Sequence, residues 1–213
     1  MRIYLIRHGQ TTNNVHHILD SNPPGAHLSD LGREQAAALV GAFDGVELGG
    51  IYVSTLRRTG ETAEPLAFSR GIVPVELDGL REIEAGSWEG GSDEATYRGY
   101  LGTVRRWLTG RLNERMGGGV TGQDVLERYD AAISRIEASG AGAAAVFSHG
   151  AVIGFWTCMR ASGIDADAVS KTLSMDAAPL QVLKNGHMCV LEGDLARGYR
   201  ALSWNGEPVG ESR

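Results

Sequence analysis

The sequence predicts an α/β fold: a mostly parallel sheet with helices on both faces and an antiparallel edge. Apolar runs at residues 3–6, 51–54 and 143–147 are rich in β-formers and have the character of strands buried on both faces. Segments with helical apolar spacing alternate with these runs, as they do in α/β sheets. Residues 180–183 and 188–191 flank Lys184-Asn185-Gly186-His187 and read as a β-hairpin turned at Asn-Gly, which supplies the antiparallel edge.

Taken in order, Ile3-Tyr4-Leu5-Ile6 is the first strand, and Ser29-Asp30 opens a helix with Leu31, Ala36, Leu39, Val40 and Phe43 along one stripe. Gly45 and Gly49-Gly50 interrupt before the second strand. A helical segment over 56–66 and a short strand over 72–75 follow. Residues 92–115 are helical in pattern but polar and glycine-interrupted. Thr121-x-x-Asp124 has the form of a capping box ahead of Val125, Tyr129, Ala132, Ile133 and Ile136. The strand over 143–147 leads through Ser148-His149-Gly150 into a helix ending near Arg160. This predicts one domain over 1–204 with a helical insertion at about 92–120, and a flexible tail over 205–213.

Thirty glycines among 213 residues are about twice the ~7% average, yet the six prolines keep the composition short of low complexity. The net charge of −6, with basic runs no longer than Arg57-Arg58 or Arg105-Arg106, excludes a nucleic-acid platform. Cys158 and Cys189 lack CxxC spacing and read as buried free thiols. No stretch of about 18 apolar residues is present, and Met1-Arg2 runs straight into a strand. The expectation is a cytoplasmic protein without membrane or nucleic-acid partners; a homodimer stays open.

In open α/β sheets ligands sit beyond the carboxyl ends of the strands. His8 and His149 occupy such positions, each followed by a glycine, Gly9 and Gly150. Arg7 lies at a strand end and Arg58 on the turn after another. Two guanidiniums and two imidazoles on one rim suit a compact dianion, because guanidinium forks match phosphate oxygens. An imidazole nitrogen is then the plausible nucleophile, and a departing alkoxide needs a proton from a nearby carboxylic acid. Glu82, at the start of a loop over 80–90, is the first candidate, with Glu84 and Glu89 as lesser ones.

Arg7-His8-Gly9-Gln10-Thr11 resembles the signature of the histidine phosphatase superfamily, in its phosphoglycerate-mutase-like branch 1. Further blocks resemble the family in order: Leu28-Ser29-Asp30-Leu31-Gly32-x-x-Gln35-Ala36, Ser54-x-Leu56-x-Arg58-x-x-x-Thr62-Ala63, Leu80-Arg81-Glu82 through Glu89-Gly90, and Ser148-His149-Gly150. Together they span about residues 2–192. The resemblance implies that His8 becomes a phosphohistidine and Glu82 protonates the leaving group. It implies that Arg7, Arg58, His149 and Asn14 hold the phosphoryl group, joined by the backbone N–H of Gly150. Water then releases phosphate, with no cofactor and no metal. Gly9, Gly86 and Gly150 are expected to leave the phosphoryl group uncrowded.

The implied substrate is a small phosphomonoester. Mutases of the family resemble Arg-His-Gly-Glu-Ser-x-Trp-Asn at the first block and carry a proline-rich insertion; here no tryptophan stands before Asn14 and no proline lies between Glu89 and Thr121. Hydrolysis is therefore expected, with mutase-type transfer and a non-catalytic phospho-ligand module as alternatives. Val120 follows Gly117-Gly118-Gly119 where relatives resemble Pro-Gly-Gly-Glu, which suggests an apolar-tolerant or atypical phosphomonoester substrate. His16, His17 and His27 read as a solvated loop, His187 as exposed, and Trp88 as rim packing.

Overall fold

A computed structural model describes residues 1–164 and 183–209. The strands are β1 (Arg2–Arg7), β2 (Gly50–Val53), β3 (Val75–Glu76), β4 (Ala143–Ser148), β5 (Ala161–Ser162), β6 (Met188–Asp194), β7 (Gly198–Trp204) and β8 (Glu207–Pro208). They form one sheet in the order β3-β2-β4-β1-β6-β7-β5, with β8 on β7. The run β3-β2-β4-β1 is parallel, and β6 adds to it antiparallel. The helices are α1 (Thr12–Val15), α2 (Asp30–Ala42), α3 (Arg57–Arg70), α4 (Glu94–Leu108), α5 (Gly122–Glu137) and α6 (Gly150–Arg160).

Strand periodicity divides the core. Tyr4, Ile6, Ile51, Val53, Ala145 and Phe147 face Leu39 and Phe43 of α2 and Ala63 and Leu66 of α3. Ile3, Leu5, Tyr52, Ala144 and Val146 face the larger cluster of α4, α5 and α6, where Trp107, Tyr129 and Trp156 are fully buried. Both faces of the central strands are therefore covered, as their unbroken apolar runs predict. Among the described residues no helix is long and apolar enough to cross a membrane.

Helix ends follow local chemistry. Ser29 Oγ accepts from Gly32 N at the start of α2, and Thr121 and Asp124 form the predicted capping box of α5. The helix predicted over 56–66 runs on to Arg70, where Gly71 closes it at φ 63°. The polar segment predicted as an insertion contains α4, whose apolar face packs under α6.

Two expectations change. The hairpin strand predicted over 180–183 lies outside the described residues up to 182, and Leu183 is not in a strand. The partner of β6 is instead β7, where Tyr199 and Ala201 point inward and Arg200 outward. The Asn185-Gly186 turn is real, but it grips the tip of β1. Within the tail predicted over 205–213, Glu207–Pro208 pairs with Ser203 and Trp204, and residues 210–213 lie outside the described ones.

Candidate active site

Strands β1 and β4 end level with each other, Arg7 opposite Ser148, so His8 and His149 emerge side by side. The His8 N–H donates to Ser148 O at 3.1 Å, and the two imidazole centroids are 5.2 Å apart. His8 Nδ1 lies 2.7 Å from Gly9 O. A carbonyl can only accept, so Nδ1 carries the proton and Nε2 keeps its lone pair. His149 Nε2 lies 2.7 Å from Ser54 Oγ, while its Nδ1 is buried without a partner among the described residues. Burial, followed by the charge of Arg58, holds both imidazoles well below their usual pKa; Arg7 adds to the effect on each. Both rings are neutral at pH 7.

Arg7 and Arg58 supply the positive charge. Arg7 Nη1 donates to Leu183 O at 2.8 Å, and its buried Nε has no partner among the described residues. Arg58, in the first turn of α3, donates through Nη2 to Asp20 O at 2.8 Å and pairs with Asp20 Oδ2 at 3.4 Å. Burial lowers the pKa of both guanidiniums, which still keep their charge at any working pH. Asn14 Oδ1 accepts from Thr11 N at 3.1 Å and from Asn185 Nδ2 at 3.2 Å, leaving Asn14 Nδ2 for a ligand.

Glu82 lies across the start of α6. Its carboxylate accepts from Ala151 N at 3.1 Å, Val152 N at 2.9 Å and Ile83 N at 2.9 Å, where the helix dipole favours an acidic group. Arg128 ties down the loop, donating to Glu82 O at 2.7 Å and to Gly79 O and Arg81 O at 2.8 Å. Glu84 is held by Arg81 and Arg128. Glu89 accepts from Ser21 N and Oγ and from Asn22 N. Of the three candidate acids only Glu82 lines the cavity of about 230 Å³ that Arg7, His8, Asn14, Arg58 and Gly150 also line. His149, fully buried beside His8, is not among the residues that line it.

The glycines serve this arrangement differently from expectation. A Cβ at Gly150 would meet Arg7 Nε at 3.0 Å, so that glycine spares the guanidinium. A Cβ at Gly9 would lie 2.5 Å from Gly32 O, and one at Gly86 2.5 Å from Met116 O. These two permit backbone-to-backbone packing rather than ligand access. His16 and His17 are exposed, His27 pairs with Glu61 and Arg57, and His187 is exposed. Trp88 packs over Gly99, and Val120 is not among the residues that line the cavity.

Sequence reading did not single out Asn185, Asp20 or Ser54. Asn185 Nδ2 donates to His8 O at 3.0 Å, and Gly186 N to Arg7 O at 3.1 Å. Its signal, Asn-Gly, was visible but pointed to a hairpin. Ser54 lay in a recognised block without an assigned role.

Residues 3–188 match the family model of the histidine phosphatase superfamily, branch 1. The chain belongs to this superfamily. A relative 31% identical over 98% of this chain is PE-PGRS family protein PE_PGRS11 of Mycobacterium tuberculosis, of whose length the match covers 37%. The chain thus spans little more than a third of that relative's length. The mycobacterial glucosyl-3-phosphoglycerate phosphatase solved with VO3 superposes with TM-score 0.74 at 24% identity, over 96% of this chain and 98% of that one. The α-ribazole phosphatase of Shigella flexneri gives 0.72 at 21% identity over 100% of both chains. At these identities the two structures establish the histidine phosphatase fold.

Proposed function

We propose that the protein is a phosphomonoester hydrolase working through a phosphohistidine on His8. The observation that carries this reading is the pairing of a neutral His8, its Nε2 lone pair unprotonated, with two buried side-chain nitrogens that have no partner among the described residues, Arg7 Nε and His149 Nδ1. Buried polar atoms without partners are costly and mark a place for a ligand. A phosphoryl dianion satisfies both, together with Arg58 and Asn14 Nδ2.

His8 Nε2 forms the N–P bond as the P–O bond to the alcohol breaks, and Glu82 in its acid form gives its proton to the departing oxygen. Water then attacks phosphorus, Glu82 takes the water proton, and the N–P electrons return to His8. The products are the alcohol and inorganic phosphate. Arg7 and Arg58 stabilise the charge that builds on the phosphoryl oxygens.

Hydrolysis is favoured over retained transfer by the short, proline-free cover between Glu89 and Thr121. Relatives named as phosphatases, among them phosphoserine phosphatase 1 of Hydrogenobacter thermophilus, point the same way, although a probable phosphoglycerate mutase GpmB of Salmonella choleraesuis also matches. As proposed, the enzyme is cytoplasmic, takes small molecules and needs no metal.

The test is p-nitrophenyl phosphate turnover by wild type and His8→Ala, with and without EDTA. The variant is expected to lose at least ~10³-fold in kcat, a loss of about 4 kcal/mol in barrier lowering. EDTA is expected to leave the wild-type rate unchanged. Equal rates for the two proteins would remove the nucleophile from the scheme.

A further inference from the structure

We infer that the substrate's alcohol portion is uncharged and apolar, carrying a ring or a branched hydrocarbon rather than a second anion. This rests on the phosphohydrolase reading above and concerns the part of the same cavity that the phosphoryl group leaves empty.

The walls there are hydrocarbon and aromatic. Helix α4 contributes Tyr97, Tyr100 and Leu101, helix α6 contributes Phe155, and Leu183 and Trp204 also line it. Tyr100 donates its hydroxyl to Ile83 O at 3.1 Å, so its polar atom is already satisfied. The charged groups among the described lining residues are Arg7, Arg58, Asp20 and Glu82. Both cations belong to the phosphoryl site, and the other two are carboxylates.

A second phosphate or carboxylate on the substrate would find no cation among the described lining residues beyond Arg7 and Arg58, and Asp20 nearby. An unpaired buried anion is strongly disfavoured. An apolar group meets the opposite conditions, since it loses no hydrogen bonds on entry and displaces water from apolar walls. Size agrees. An apolar cavity of about 150 Å³ holds benzene, and this one is about 230 Å³ with the phosphoryl site included. A phosphoryl group and one ring fill it.

The test compares kcat/KM for alcohol phosphates whose leaving groups have similar basicity: 2-phenylethyl phosphate, glycerol 1-phosphate and 3-phosphoglycerate. The order expected is the order given, with 2-phenylethyl phosphate at least tenfold above glycerol 1-phosphate and at least 100-fold above 3-phosphoglycerate. Equal or reversed values for 2-phenylethyl phosphate and 3-phosphoglycerate would overturn the inference and leave the phosphatase reading intact. No turnover of these or of p-nitrophenyl phosphate would instead sink the phosphatase reading, and the inference with it. Leu101→Arg, on the partly exposed side of α4, adds a cation to the apolar wall. It is expected to move the 2-phenylethyl to 3-phosphoglycerate ratio at least tenfold toward the anion; an unchanged ratio would count against this wall.

Discussion

The amide of Asn185 reaches two atoms that decide where the reacting imidazole stands, His8 O at 3.0 Å and Asn14 Oδ1 at 3.2 Å. Each such hydrogen bond contributes about 1 kcal/mol net. Asn185→Ala is expected to lower kcat/KM by about 5–10-fold, since 1.4 kcal/mol corresponds to tenfold. Asn185→Asp keeps the shape but has no donor, and is expected to fall at least as far. Unchanged steady-state kinetics in both variants would show that the clasp does not position the site. At this scale the residues whose chemistry is written in neighbouring letters, such as Arg7-His8-Gly9 or Ser148-His149-Gly150, were legible in the sequence. Asp20 and Asn185 were not, because their partners lie 38 and 177 residues away and nothing local marks them.

Elements were legible to the degree that their signals are local. The capping box of α5 was read correctly because both halves lie within Thr121–Asp124. Thr121→Ala removes a side chain that caps Asp124 N at 3.1 Å. A loss of about 1 kcal/mol in urea-induced unfolding is expected, with kcat unchanged because Thr121 does not line the cavity. The hairpin strand predicted over 180–183 lies outside the described residues up to 182; Asn-Gly fixes a turn, but which strand pairs with β6 depends on the alternation in Gly198–Trp204 and on the room beside β1. A third element-scale contact joins the tip of β1 to the start of α2, where a Cβ at Gly32 would lie 2.0 Å from Gln10 O. Gly32→Ala is expected to destabilise by roughly 1–3 kcal/mol and to lower activity as well, because the shift is passed to the residues flanking His8. Full activity in a destabilised Gly32→Ala would separate that contact from the site.

For the molecule as a whole, carrying His8 and His149 buried and neutral ties stability to pH. Both have folded pKa values well below the ordinary imidazole value, so below about pH 6.5 the unfolded chain binds more protons than the folded one. Stability is therefore fully present above that pH and falls as pH decreases, by up to about 1.4 kcal/mol per pH unit for each histidine. Urea midpoints measured from pH 7 to pH 5 are expected to decline, and His149→Asn is expected to flatten the decline. A wild-type midpoint independent of pH over that range would contradict the burial of neutral imidazoles. The α/β class was visible at this scale because the alternation of buried strands and amphipathic helices extends along the chain.

The clasp between the 184–187 turn and the end of β1 spans most of the chain. The backbone of His8 is held by a side chain synthesised 177 residues later, and Leu183 O takes up Arg7 Nη1 across a separation of 176 residues. A chain that stops short of residue 183 carries neither of these contacts to the tip of β1, nor the strands β6 and β7 beside it. The proposed site is thus joined to the last part of the sequence, and its geometry depends on segments from both ends of the chain.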